Sequence, residues 1–340
     1  MVDERTIDTA RALAGGAVVS VERQMGGGNN RLFRVRTAAG DSFALKEYPR
    51  REGDSRDRLA AEFGALEFLG RYGLSVVPRA IAADRTKDCA LYEWIDGEPV
   101  HSPDARDIDA AVDFARDLHS LRQAAGAEKL PLASEACLSA NELVAQVRRR
   151  ASRLKTIAPN EPRLGAFLDD AFDPVAERTE AWARRGYERQ GWAFDQPIAR
   201  EQQTLSPSDF GFHNAIRRKD GSLAFVDFEY FGWDDPVKLT SDFMQHPGMK
   251  LTVALYDRFL THAKVVYGGE STYAQRLALI YPLYGLRWCM ILLNEFLPER
   301  WEARRRAGVH VDRDAATSGQ LEKARYRIAA VRDYLMEKAR

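Results

Sequence analysis

In the first hundred residues apolar positions recur mostly every second residue; after Asp104 they recur mostly every third or fourth. Val18-Val19-Ser20-Val21-Glu22 has the β-branched character of a strand, and Leu32-Phe33-Arg34-Val35-Arg36 alternates strictly. Ser42-Phe43-Ala44-Leu45-Lys46-Glu47-Tyr48 alternates again after an Ala39-Gly40-Asp41 turn. Gln24-Met25-Gly26-Gly27-Gly28-Asn29-Asn30, between the first two runs, predicts a hairpin tip nearly free of side chains. The period then changes: Leu59, Phe63, Leu66 and Leu69 form one stripe and predict a helix from Arg58 to Tyr72. Val76-Val77-Pro78-Arg79 follows, and then two further strands, ending in the run Cys89 to Glu98.

Beyond Asp104 the pattern is helical. Ile108, Val112, Ala115 and Leu118 make one stripe, and Ser139-Ala140-Asn141-Glu142 is a capping box that opens a second helix. Lys155 to Gln190 continues as helix, with breaks expected near Pro162 and near Asp173-Pro174. Residues 125–200 carry no chemical motif, and no repeat or low-complexity tract is present. One β-hairpin interrupts the helices. Leu205 leads into Ser206-Pro207-Ser208-Asp209, Leu223-Ala224-Phe225-Val226 runs into Asp227, and Lys219-Asp220-Gly221-Ser222 between them is a turn signal. Helices follow again, over Lys238 to Gln245, Val253 to Tyr267, Thr272 to Leu297 and a last stretch with Leu321, Ile328, Val331 and Leu335.

Composition narrows the class. At 340 residues the chain exceeds one typical domain. Its 45% hydrophobic and 29% charged content is that of a soluble globular protein. Fifty basic residues balance fifty acidic ones, which argues against a nucleic-acid partner. Cys89, Cys137 and Cys289 are odd in number, widely spaced and without a CxxC pair, so reduced thiols in a cytoplasmic protein are expected. The N-terminal MVDERTIDTA is too charged for a signal peptide. Leu277 to Leu297 is apolar enough to raise a membrane question, but it contains Pro282, Arg287, Asn294 and Glu295. It reads as a buried core helix, and no membrane association is expected.

The hairpin carries the candidate chemistry. The loop ahead of its first strand brings Asp209 and Asn214 beside Asp227, which follows a buried strand. Phosphoryl transfer needs one carboxylate to orient and deprotonate the attacking hydroxyl, and a second carboxylate with an amide oxygen to hold magnesium against the phosphates. Asp209 and Asn214 stand five residues apart, the spacing of the Asp and Asn in the protein-kinase catalytic loop. Lys46 ends an alternating run that aims its ammonium along the sheet toward Gly26, Gly27 and Gly28, where backbone amides can approach phosphate oxygens. No Gly-Lys-Ser/Thr follows those glycines, so they are not a Walker A loop. Glu62 borders the inward face of its helix and needs a cationic partner there. Lys46 is the natural one. Glu67 is the competing carboxylate, but Arg71 lies four residues on and can pair with it in solvent.

Asp209, Asn214, the run Val226-Asp227-Phe228-Glu229-Tyr230 and the trailing Asp235-Pro236 give a resemblance to the aminoglycoside phosphotransferase and choline kinase family, the small-molecule branch of the protein-kinase-like fold. Two positions depart from the family's pattern: Pro207 stands where a His is usual, and Leu239 where many members have Asp. The resemblance spans Val18 to Asp242. It implies a bilobal α+β fold, with a small antiparallel sheet and one main helix in an N-terminal nucleotide lobe (1–97) and a mainly helical C-terminal lobe (98–340). It implies ATP, or GTP in its place, with Mg2+ and a small-molecule hydroxyl acceptor. Gly26, Gly27, Gly28 and Asn30 would cover the nucleotide, and main chain from Glu93 to Ile95 would form the adenine-binding hinge. Asn214 and Asp227 would bind the metal and Asp209 would be catalytic. Acceptor contacts would come from Asp234, Asp235, Arg287, Trp288, Asn294 or Glu295, although Trp288 reads most simply as core and Arg287 with Glu295 as a buried ion pair. His213 reads as structural, since magnesium prefers oxygen ligands. Two other readings stay open: a nucleotide-binding regulator that no longer transfers phosphate, and a metal-dependent phosphohydrolase using Asp209, His213, Asp227 and Asp235.

Overall fold

The computed structural model describes residues 2–24, 30–50, 56–249, 251–269, 272–306 and 312–338. The chain forms two compact units: Met1–Ala136 with Thr204–Asp234 and Pro247–Val266, and Cys137–Gln203 with Asp235–His246 and Tyr267–Arg340.

In the first unit the predicted strands form one antiparallel sheet. They are β1 (Val18–Arg23), β2 (Arg31–Thr37), β3 (Ser42–Glu47), β4 (Ala80–Asp84) and β5 (Cys89–Glu93), in the order β1-β2-β3-β5-β4. One face buries Phe33, Val35, Leu45, Cys89 and Leu91 against Ala10. Ala10 belongs to a helix that the charged N-terminal sequence hides, α1 (Glu4–Ala14). Asp3 caps it by accepting from the Thr6 N–H, and Thr6 Oγ1 donates to Glu47 Oε1 at 2.7 Å. The main helix, α2 (Arg58–Arg71), buries Leu59, Leu66 and Leu69 as its stripe predicts, and Glu62 with them.

The same unit contains β6 (Glu98–Pro99), α3 (Ala105–Leu121) and the central hairpin, β8 (Ala215–Arg217) with β9 (Leu223–Phe225). Arg217 on β8 grips Asp107 in the first turn of α3 through two 2.7 Å hydrogen bonds. Two three-residue strands, β7 (Thr204–Ser206) and β10 (Gly232–Asp234), pair antiparallel just before the loop of Asp209 and just after Asp227. Gly232 is required there: a Cβ would stand 2.4 Å from the Ala133 N and the Pro131 O. A helix α8 (Val253–Val266) packs on α3, with Arg258 donating twice to Asp109 at 2.7 Å.

The second unit is helical: α4 (Ala140–Ile157), α5 (Pro162–Ala166), α6 (Asp173–Arg189), α7 (Pro236–Gln245), α9 (Tyr273–Leu292), α10 (Pro298–Arg306) and α11 (Arg313–Lys338). The Ser139–Glu142 capping box forms in full. The chain breaks before Pro162 as expected, but at Asp173-Pro174 it does not. A π-helical turn, Phe167–Phe172, runs straight into α6, and Pro174 falls in the first turn, where a missing N–H breaks least.

Helix α9 is the core of this unit, packed by α4, α6, α7 and α11, and 72% of its most apolar window is buried. Pro282 denies the Ala278 carbonyl its helical donor, and the Tyr334 hydroxyl from α11 donates to that carbonyl at 2.9 Å. Arg287, expected to pair with Glu295, meets a carboxylate on another helix. Arg287 donates to Asp242 on α7 at 3.0 Å and to Gln146 on α4 at 3.0 Å, because its side chain projects across the helix bundle rather than along its own helix.

Candidate functional site

The site is assembled within the first unit. On β3 the alternation that points Leu45 into the apolar core points Lys46 to the opposite face, toward α2. There Lys46 Nζ lies 2.6 Å from Glu62 Oε1 and 3.0 Å from Asp227 Oδ1. Glu67, the competing partner, is exposed. Burial alone would lower the Lys46 pKa; the charges of Asp227 and Glu62 more than reverse this and hold it above the usual lysine value. Burial likewise raises the Glu62 carboxyl, and Lys46 opposes it. Glu62 Oε1 also faces the Phe228 N–H at 3.3 Å, so one carboxylate ties α2 to β3 and to the backbone beside Asp227.

Asp227 leaves β9 with φ = 70° and Ser208 enters the loop with φ = 65°. Non-glycine residues seldom adopt this left-handed conformation, so the surrounding structure must enforce it. Several contacts do so. The Val226 N–H donates to the Asn214 carbonyl at 2.9 Å and joins the loop to the strand that presents Asp227. Ser206 Oγ accepts from the Ser208 N–H at 3.0 Å, and Ser208 Oγ donates to the Ser134 carbonyl at 2.9 Å. Phe210 and Phe212 alternate inward. Phe210 packs with Phe225, which stacks on Phe114 of α3 at 4.7 Å between ring centroids. The loop is thus braced although Pro207 replaces the usual His.

At the loop's tip His213 Nε2 meets Asp209 Oδ1 at 3.0 Å. Gly211 makes room for that ring, since a Cβ there would stand 2.8 Å from His213 Nδ1. Asn214 Nδ2 donates to the Asp209 carbonyl at 2.9 Å. With its nitrogen so engaged, the amide offers Oδ1 to a cation. The Asp227 side chain is 34% exposed, with one oxygen on Lys46. Asn214 and Asp227 therefore present oxygen donors of the kind magnesium prefers, beside a lysine suited to phosphate.

The other predicted positions divide. Gly26, Gly27 and Gly28 lie outside the described residues. Asn30, just after them, donates to Glu229 Oε2 at 3.2 Å. At the end of β5 the Glu93 N–H donates to the Arg79 carbonyl at 2.9 Å, its carboxylate accepts from Arg79, and Ile95 is buried. Asp234 is buried at the end of β10.

In the second unit Asp235 caps α7 through the Val237 N–H and forms a buried ion pair with Arg276. A carboxylate so committed is poorly placed to serve as a metal ligand. Arg287 and Trp288 both donate to Asp242, Trp288 Nε1 at 2.8 Å, and Glu295 is half-buried in the 3-10 turn after α9. Sequence reasoning missed Asp242, and Tyr48 and Tyr92 behind Glu62. Only Tyr48 left a signal, two residues beyond Lys46 on an alternating strand.

Comparison with known proteins bears on this geometry. A sequence model of the phosphotransferase enzyme family matches residues 21–238. A search of curated protein sequences gave no match. Among solved structures, a choline kinase from Cryptosporidium parvum is similar, with a TM-score of 0.60 at 13% identity over 96% of both chains. A spectinomycin phosphotransferase in complex with ADP and spectinomycin has a TM-score of 0.64 at 10% identity, covering 95% of this chain and 98% of that one. An amicoumacin kinase in complex with AMP-PNP and Ca2+ has a TM-score of 0.59 at 15% identity, covering 96% and 94%. At these identities the likeness establishes the shared fold.

Proposed function

Because the chain belongs to the phosphotransferase enzyme family, matched over residues 21–238, we propose that it moves the γ-phosphoryl group of ATP, or of GTP in its place, to a hydroxyl of a small molecule. The observation that carries this reading is the Lys46 ammonium held between Glu62 at 2.6 Å and Asp227 at 3.0 Å. Lys46 neutralises the α- and β-phosphates and Glu62 fixes its position. Asp209 orients the acceptor hydroxyl and takes its proton as the oxygen attacks. Asn214 and Asp227 hold magnesium, which when bound draws off negative charge from the phosphoryl oxygens. The protein's own contribution is mostly positioning and charge compensation.

In this reading residues 1–97 form the nucleotide lobe, with main chain near Glu93 to Ile95 as hinge and Asn30 at the edge of the nucleotide-covering loop. Residues 98–340 supply the catalytic loop and the acceptor side. Among the acceptor candidates Asp234, Asp235, Arg287, Trp288 and Glu295, Asp235 is ion-paired with Arg276 and Arg287 with Asp242, which leaves these two least suited to direct contact with an acceptor. The proteins of similar structure include a choline kinase, a spectinomycin phosphotransferase and an amicoumacin kinase, and an amine-bearing alcohol is the acceptor class to try first. Cys89, Cys137 and Cys289 are buried and outside any disulfide, which suits a reducing cytoplasm.

The test is Asp209→Asn, which keeps the side chain's shape and removes the base. Acceptor-dependent ADP release, screened over amino alcohols, aminoglycosides and sugars, should fall about 10³-fold, with Mg-ATP affinity within a factor of about two of the parent. A variant that keeps most of its rate would refute the assignment of Asp209.

A further inference from the structure

Glu62 has more behind it than the proposed chemistry uses. On β3 and β5, Lys46 stands opposite Ala90 and Ala44 opposite Tyr92. Directly opposed residues share a face of the sheet, and so do residues two apart, so Lys46 and Tyr92 point the same way. The small side chains of Ala44 and Ala90 leave room between them. Tyr48 continues the face two residues beyond Lys46, where its N–H still donates to the Asp88 carbonyl at 2.8 Å.

Both rings are buried, and their hydroxyls meet at 2.8 Å. Tyr48 Oη also lies 2.7 Å from Glu62 Oε2. A carboxylate only accepts, so the Tyr48 proton goes to Glu62, and the proton between the two tyrosines must then come from Tyr92. Burial first, and the Glu62 charge second, hold both phenols well above their ordinary pKa, so both remain donors. Phenylalanine would fill the same volume without the cost of burying two hydroxyls; the hydroxyls are useful here only as a directed chain.

We infer that Tyr48 and Tyr92 are positioning residues: a hydroxyl relay from Tyr92 to Tyr48 to Glu62 fixes the Glu62 carboxylate against Lys46 and the Phe228 N–H, and so sets where the Lys46 ammonium stands beside Asp227. This rests on the reading of Lys46 as the phosphate-neutralising residue. Each oxygen of Glu62 has its own donor, Oε1 from Lys46 and Oε2 from Tyr48, so the carboxylate cannot rotate without losing one. Of the two carboxylates on Lys46, Asp227 is the one proposed to take up magnesium, and Glu62 is the one held by further donors. The charge that grows on the leaving β-phosphate oxygen then meets an ammonium already in place, an effect on the transition state more than on binding.

The experiment measures transfer of label from ATP labelled in its γ-phosphoryl group, with Mg2+ and the best acceptor of the panel, or water if none is found. Tyr48→Phe should lower kcat about ten-fold, the range expected for one hydrogen bond to a buried charge, with KM for Mg-ATP within about two-fold. Tyr92→Phe, one link further away, should lower kcat about three-fold, and it carries the test if Tyr48→Phe does not fold. The double variant Tyr48→Phe with Glu62→Gln should be no slower than Glu62→Gln alone, because the relay acts only through Glu62. An unchanged kcat in Tyr48→Phe, or the full ten-fold loss on top of Glu62→Gln, would overturn the relay and leave the kinase reading intact. A parent protein that transfers no label to anything would overturn both.

Discussion

At the scale of single residues, the centre of the molecule is a lysine between two carboxylates. Alternation along β3 and the inward border of α2 made Lys46 and Glu62 legible in the sequence, since a carboxylate on a buried stripe must find a cation. Tyr92 was not legible, and Tyr48 showed only as the next position on the Lys46 face of an alternating strand, because tyrosine in a strand reads as a sheet former and a hydroxyl contact across three elements leaves no spacing to detect. Asp242 was missed as a partner of Arg287 for the same reason: Glu295 is near in sequence, whereas Asp242, which Arg287 meets at 3.0 Å, is near only in the fold. Removing Lys46 would leave Glu62 buried without its cation, at a cost of about 3 kcal/mol. Burial already raises the Glu62 carboxyl, and loss of Lys46 raises it further. The folded Lys46→Met protein then binds a proton that its unfolded chain releases, and its stability falls as pH rises through the raised pKa. Urea unfolding of the parent and of Lys46→Met should therefore differ more at pH 8 than at pH 5; an equal difference at both would contradict the pairing.

At the scale of elements, strands of five to seven residues announced themselves by their period, while β7 and β10, three residues each, are too short to show one. Helix α1 was hidden because most of its surface is charged and its buried side is made of Thr6, Thr9 and Ala10 rather than large apolar residues. Helix α3 was read correctly, and its end makes a prediction of its own. His119, buried there with Nδ1 3.3 Å from Thr204 Oγ1, has its pKa pushed from 6.5 down to about 4, by burial first and the Arg122 charge second. Its place in the last turn of a helix would favour the cation, but burial wins. Between those two values the unfolded chain takes up a proton that the folded one refuses, so stability is lost as pH falls from about 6.5 to about 4. The loss should be about 2 kcal/mol, discounted for partial solvent access. His119→Gln should lose that much less between pH 7 and pH 4.5 in urea titrations, and identical titrations for the two proteins would contradict the assignment.

At the scale of the whole molecule, the order of elements followed from periodicity, the α+β organisation followed from the family resemblance, and Asp209, Asn214 and Asp227 around one hairpin pointed to phosphoryl transfer. What sequence could not supply is how the loop is braced: Phe210 against Phe225 and Phe114, and Ser208 on the Ser134 carbonyl, are contacts among distant or unremarked positions. With these braces, a loop that lacks the usual His still holds Asp209 and Asn214 and is tied to the strand that presents Asp227, and the chain is expected to be an active enzyme and not a silent nucleotide binder. The most direct measurement follows the γ-phosphoryl group itself. Labelled ATP and Mg2+ are incubated with the parent protein and with Asp209→Asn, across the acceptor panel, and the products are separated. Label on a hydroxyl of one acceptor class with the parent, and about 10³-fold less with Asp209→Asn, is the predicted result; label that goes only to inorganic phosphate, whatever acceptor is present, would contradict it.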